Sequence, residues 1–204
     1  MNKLVNYEVK QSNSEHKRGR PRSNKVSERI LKATIELLFE EGLRKTTVDE
    51  ISARAEVSKA TIYKWWPNKN VVSIDAFLLK MEAEVKIPDT GSVREDFLQQ
   101  LLSVMRFYKS PMGKVFTQLI AESQYDPHIA TIFCERFLVN RQNAVQVMLQ
   151  RGFDRNEIRN DIDSKIIIDL IYGPMIYRLL TGHAPLDDNL AKSIVDVVIK
   201  GIRV

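Results

Sequence analysis

Residues 46–69, TTVDEISARAEVSKATIYKWWPNK, constrain this chain more than any other stretch. Thr47 followed three residues later by Glu50 is a capping-box pattern, in which each residue satisfies an amide of the other at a helix start. The helix it opens is expected to run through Ala55. Ser58 can cap another, running to Trp66, and Pro67-Asn68 closes the unit. Two helices this short need a third to pack on. The upstream stripe of Ile30, Thr34, Leu37 and Leu38, between a Ser27 cap and a Gly42 stop, supplies it. Val48, Ile51, Ala55, Val57, Ile62 and Trp66 are then the candidate core of a three-helix unit, with Lys59, Ala60, Tyr63 and Lys64 on the far side.

Downstream, no sustained alternation marks a strand, and helix signals recur. Asn68 can cap a helix to about Lys86, and residues 87–91, IPDTG, read as a linker. Ser92 with Glu95 makes a second capping-box pattern. Ser110-Pro111 and Asp126-Pro127 each place a cap before a proline at the first helical position. Helices are expected at about 92–109, 111–124, 127–151, 163–181 and 187–201, with Gly152 and Gly182 near helix ends. Gly173-Pro174 is expected to kink its helix or open a gap there. The fold class is therefore all-α with about nine helices. It divides into a basic flexible arm over 1–24, a helix-turn-helix domain over 25–70 and a helical body over 71–204.

Charge follows this division. Residues 1–70 carry 15 Lys and Arg against 9 Asp and Glu, whereas residues 71–204 carry 16 against 17, so the whole excess of +5 lies at the front. Such asymmetry suggests a polyanion-binding end. No apolar run reaches the ~18 residues that span a bilayer, and no secretory leader is evident, so no membrane partner is expected. A single cysteine, Cys134, excludes an internal disulfide framework and fits a reducing cytoplasm; it reads as a small buried residue. His16, His128 and His183 have no metal-ligand spacing, and neither a phosphate loop nor a nucleophile elbow occurs. Asp161 and Asp163 are explained by capping. No enzyme activity, metal or cofactor is expected.

The front end has the chemistry of a DNA reader, in which a braced helix presents polar side chains to base edges. Ser58 joins a hydroxyl to free helix-start amides, a place for a phosphate. Ala60 permits close approach, and Thr61 offers a methyl and a hydroxyl to a base. Lys59 and Lys69 suit phosphates or guanine edges, and Tyr63 can reach a phosphate.

These residues resemble the TetR family of bacterial transcriptional repressors. The resemblance covers about residues 27–81, through Thr46-Thr47-Val48-Asp49-Glu50-Ile51, Val57-Ser58-Lys59-Ala60-Thr61-Ile62-Tyr63 and Trp66-Pro67-Asn68-Lys69. It implies operator contacts from Thr47, Ser58, Lys59, Thr61, Tyr63 and Lys69, with Arg44 and Trp65 as secondary candidates. Two departures stand out. Glu56 occupies a turn position that usually holds glycine, so the turn either avoids positive φ or carries strain of about 1 kcal/mol. Trp66 replaces the usual closing Phe, and its neighbour Trp65 lies either on DNA or on the following helix.

Upstream, Arg18-Gly19-Arg20-Pro21-Arg22 resembles an AT-hook core, which implies that Arg18, Arg20 and Arg22 enter an A·T-rich minor groove. The alternative is a solvated basic tail. The C-terminal part resembles one TetR ligand-binding subgroup through Phe133-Cys134-Glu135-Arg136-Phe137, Arg151-Gly152, residues 158–163 and Gly173-Pro174-Met175-Ile176-Tyr177-Arg178. It implies a cavity for a small, largely apolar or amphipathic effector. Met81, Phe97, Met105, Tyr108, Phe116, Phe137, Met148, Tyr172, Met175 and Tyr177 are the candidate lining, since Met and aromatic side chains suit adaptable apolar sites. It also implies a homodimer through the helices at 163–181 and 187–201, set on a palindromic operator. The expected function is a ligand-released repressor. The alternatives are a partner-controlled regulator, which a filled core would favour, and a DNA-architectural protein.

Overall fold

The computed structural model describes residues 22–204, with side chains from Lys25 onward. Among them the chain is helical throughout: α1 (Arg22–Glu41), α2 (Val48–Arg54), α3 (Lys59–Tyr63), α4 (Lys69–Glu84), α5 (Val93–Lys109), α6 (Pro111–Tyr125), α7 (Pro127–Phe133), α8 (Val139–Asp154), α9 (Ser164–Thr181) and α10 (Asp188–Ile202). A π-helical turn, Cys134–Leu138, joins α7 to α8 without a break, so the expected helix over 127–151 is one rod extending to Asp154. Nine helical rods result among the described residues. One antiparallel bridge pairs Ile158 with Arg203.

The buried stripe of α1 is Ile30, Ala33, Thr34, Leu37 and Leu38, the i, i+3, i+4, i+7, i+8 pattern of a helix packed on one side. The helix begins at Arg22 rather than at the expected Ser27 cap. Half-buried Val26 extends the packed stripe by one turn, and nothing between Arg22 and Ser27 forbids helix. The expected arm therefore loses residues 22–24 to this helix. Gly42, at φ 78°, turns the chain out of α1, and the Leu43 amide donates to Gln118 Oε1 on α6 at 2.8 Å.

The turn between α2 and α3 resolves the Glu56 question. Glu56 has φ 52°, in the left-handed region. The Val57 amide donates to the Ser52 carbonyl at 3.1 Å and the Glu56 amide to the Ala53 carbonyl at 3.2 Å. That pair of bonds is a Schellman closure, here made with a non-glycine residue at a cost of about 1 kcal/mol. The Ser52 hydroxyl also donates to the Val57 carbonyl at 2.6 Å, which holds the turn. The same closure ends α8, with Asn156 at φ 56° and the Glu157 amide on the Gly152 carbonyl.

Several caps form as expected. Asn68 accepts from the Val71 amide, Ser110 from Met112, Asp126 from His128 and Asp163 from Lys165. The Ser92–Glu95 box does not form. Fully buried Asp96 instead accepts from the Thr90 amide at 2.6 Å and the Thr90 hydroxyl at 2.7 Å. Glu157 takes the Val93 amide at 2.7 Å. The Ser92 amide itself donates to Thr90 Oγ1 at 3.3 Å rather than to Glu95. Gly152 lies in the last turn of α8, near the helix end as expected, and packs closely: a Cβ there would meet Val93 Cγ2 at 2.9 Å and Ile158 Cδ1 at 3.0 Å. Cys134 is exposed rather than buried, because it sits on the outer side of the π turn.

One apolar cluster runs through the molecule from Ile30 to Ile202. At its centre is α4, burying Val71, Val72, Ile74, Phe77, Leu78 and Met81, and contacting both α1 and the α7–π segment.

Candidate nucleic-acid interface and core cavity

The α2–α3 unit is assembled by local bonds. The Thr47 hydroxyl accepts from the Glu50 amide at 3.2 Å, while the Thr47 amide donates to Glu50 Oε2 at 2.8 Å, completing the capping box. Ile51, Ala55, Ile62 and Trp66 are buried and Val48 and Val57 half-buried, as an amphipathic pair braced on α1 requires. Arg54 on α2 pairs with Glu40 on α1 at 2.7 Å. That pairing raises the Arg54 pKa further above its ordinary value.

The outer face carries most of the expected contact residues. Arg44, Thr47, Ser58, Lys59, Ala60, Tyr63, Lys64 and Trp65 are exposed, and Thr61 is half-exposed. Trp65 is 43% exposed, and its ring is tilted 41° against that of Trp66. Three details differ from the sequence reading. The helix α3 ends at Tyr63, with the turn carried on by the Trp66 amide on the Ile62 carbonyl at 2.9 Å. The Ser58 hydroxyl caps the Thr61 amide at 3.2 Å and bonds the Thr61 hydroxyl at 2.9 Å, so neither hydroxyl is idle. Lys69 bonds the carbonyls of Leu43, Arg44 and Thr46 at 3.1, 3.4 and 3.2 Å. Its three donors hold the α1–α2 turn against α4. Lys59 pairs with Asp49, whose hydrogen bond and charge raise its pKa. Arg18 and Arg20 lie outside the described residues; Arg22 opens α1, and its side chain lies outside them too.

A residue that composition gave no reason to single out ties this face to the body. Asp75 on α4 accepts from Trp66 Nε1 at 2.7 Å. Both its oxygens also accept from Arg136 Nη1, at 2.7 and 2.6 Å. Arg136 belongs to the π turn. The end of the reading unit and the irregular turn of the body are thus bonded to one carboxylate.

On its inner side that turn borders a cavity of about 330 Å³. Met81, Tyr108, Phe116, Phe137, Tyr172 and Met175 line it, joined by residues including Phe133, Leu138, Arg141 and Asp169. Phe116, Phe133 and Phe137 pack on one another with ring centroids 5.0–6.0 Å apart. The other four expected lining residues lie elsewhere. Phe97, Met105 and Met148 are filled core. Tyr177 is 63% exposed on the opposite side of α9 and packs on His183. One residue beyond Ile176, which faces the cavity, the helical turn of about 100° carries Tyr177 outward. Burial drives the Tyr172 phenol up to about 12 and the Tyr108 phenol higher still; Arg141 opposes the rise at both. A second cleft of about 440 Å³ shares Met81 and Arg141 as its partition with the first.

Among the described residues no group of His, Cys, Asp and Glu could hold a metal ion, and no helix is long and apolar enough to cross a membrane.

Comparison with known proteins agrees with this geometry. Residues 30–72 match the family described as bacterial regulatory proteins, tetR family, and residues 87–198 match the tetracyclin repressor-like C-terminal domain. The chain is 40% identical over 187 residues to the uncharacterized HTH-type transcriptional regulator YdeS of Bacillus subtilis, covering 92% of this chain and 94% of that protein. It is 26% identical to the DNA-binding transcriptional repressor TetR of Mycobacteroides abscessus, over 83% of this chain and 90% of that one. Among solved structures, the TetR family transcription regulator SCO0332 superposes with a TM-score of 0.82 at 31% identity, covering 87% of this chain and 98% of that one.

Proposed function

The chain belongs to the TetR family of bacterial regulatory proteins, and on that premise we propose that it is a dimeric repressor released from its operator by a small, largely apolar effector. That it is a DNA-binding transcriptional regulator and not an enzyme follows from the family itself. The finer reading rests on one observation above the rest: Trp66, Asp75 and Arg136 connect the reading unit to the wall of an apolar cavity. An effector packed against Phe133, Phe137 and Leu138 displaces the π turn, whose irregular hydrogen bonding makes it the soft part of its rod. Arg136 then shifts on Asp75, α4 follows, and the recognition helices take a separation that no longer fits the operator. This is a population shift, powered by the effector's higher affinity for the displaced arrangement.

Dimerisation has its own support. On α9, Ile166, Leu170, Tyr177 and Leu180 are 48–63% exposed and fall on one stripe; on α10, Val197 is 71% exposed. Apolar side chains in such a stripe need a cover, and a second copy provides it through a twofold contact. The reading unit supplies DNA contacts from Arg44, Thr47, Lys59, Ala60, Tyr63, Lys64 and Trp65, with the basic residues of the arm adding affinity. The site of action is the cytoplasm, where the DNA is. Footprinting on the organism's own DNA, with and without candidate effectors, tests the proposal. It expects two half-sites about one helical turn apart and their loss on effector binding. A complex indifferent to every effector leaves only the DNA-binding half.

A further inference from the structure

The cavity wall contains a cation that its surroundings leave incomplete. Arg141 Nη2 is closed off from solvent and has no hydrogen-bond partner, while the rest of this half-buried guanidinium is bonded to the Tyr172 phenol; a buried donor left unmatched is costly. The wall carboxylates Asp169 and Glu82 form no ion pair with it among the described residues, and both are exposed at the openings rather than folded inward. Around it stand neutral phenols. Tyr172 donates to Gln100 Oε1, the Gln100 Nε2 atom is buried without a partner, and the Tyr108 phenol is within electrostatic reach of Arg141. Two donor atoms in this part of the body, Arg141 Nη2 and Gln100 Nε2, are thus left without acceptors. Apart from Gln142, the remainder of the wall is apolar, with Phe116, Phe133, Phe137, Met81 and Met175 prominent in it.

We infer that the effector is an amphiphile with a carboxylate head, which pairs with Arg141 while its apolar body fills the space between the phenylalanines. This rests on the reading of the cavity as the effector site. A carboxylate matches the planar fork of a guanidinium with two parallel bonds, and charge-assisted bonds are about twice as strong as neutral ones. It supplies the acceptors that Arg141 and the neighbouring donors lack. The aromatic rings alone could hold a quaternary ammonium by cation–π attraction. A like charge on the partition between the two cavities opposes that occupant.

Three probes that share one tail separate the alternatives: decanoate, decanamide and decyltrimethylammonium, titrated calorimetrically into the full-length protein. Decanoate is expected to bind at least about tenfold more tightly than decanamide, the effect of one charge-assisted pair. In Arg141→Met that preference is expected to vanish, decanoate weakening about tenfold and decanamide changing less than about twofold. Retained decanamide binding shows that the variant is folded. Equal binding of decanoate and decanamide by the unaltered protein, or tightest binding of the ammonium, overturns the carboxylate head and leaves the cavity reading standing. Failure of all three to bind removes the effector site itself, and this inference with it.

Discussion

The reading unit and the helical body treat their polar groups in opposite ways. Around α2 and α3 the donors are committed: Thr47 and Glu50 cap each other, Ser58 holds Thr61, Lys69 holds three carbonyls and Trp66 holds Asp75. Around the cavity, Arg141 Nη2 and the Gln100 amide are buried and unmatched. A fully bonded unit moves as a rigid piece, because changing its internal shape breaks several bonds at once. An incomplete cavity has something to gain from a ligand. The contrast separates the part that is carried from the part that responds, with Asp75 between them.

The largest effect expected from breaking this arrangement is at the body's outer stripe. Leu170→Asp places a carboxylate among Ile166, Tyr177 and Leu180. It is expected to give monomers in sedimentation and to weaken operator binding by about 100-fold or more, since the second half-site no longer acts in concert. Next comes the bridge. Asp75→Ala strands the Trp66 indole N–H and unpairs Arg136, an expected loss of about 1–2 kcal/mol in urea unfolding, moderated by the partial exposure of both charged groups. Within the reading unit, Thr47→Ala removes one half of the capping box and is expected to cost about 1 kcal/mol, read in the same way. The smallest change goes the other way. Glu56→Gly relieves the left-handed turn and is expected to stabilise by about 0.5–1 kcal/mol, with operator affinity unaltered.

The same contrast explains what could be read in advance. Features of the reading unit depend on neighbours three or four residues away, so Thr47-x-x-Glu50, Ser58 and the Ile30–Leu38 stripe announce themselves in sequence. The body is held by partners far apart along the chain. Asp75 meets Arg136 across 61 positions, and Val93 meets Glu157 across 64. No local pattern points to either pair. Six of the ten expected lining residues border the cavity because Met and aromatic residues concentrate there. The four misplaced ones show that composition cannot say which side of a helix a residue takes. Arg136 stood inside the stretch that carried the family resemblance, yet its role appeared only once Asp75 was seen beside it. Cys134 misled for the same reason: an irregular turn, invisible in spacing, decides its exposure.

Asp75→Asn tests the central claim most directly. Asparagine keeps an acceptor for Trp66 Nε1 but removes the charge that holds Arg136. Operator release by decanoate is to be followed in the unaltered protein and in this variant, together with decanoate affinity measured without DNA. The account predicts equal decanoate affinity and full release from the unaltered protein, with the variant staying on its operator at the same ligand saturation. Release of both at the same saturation would contradict it.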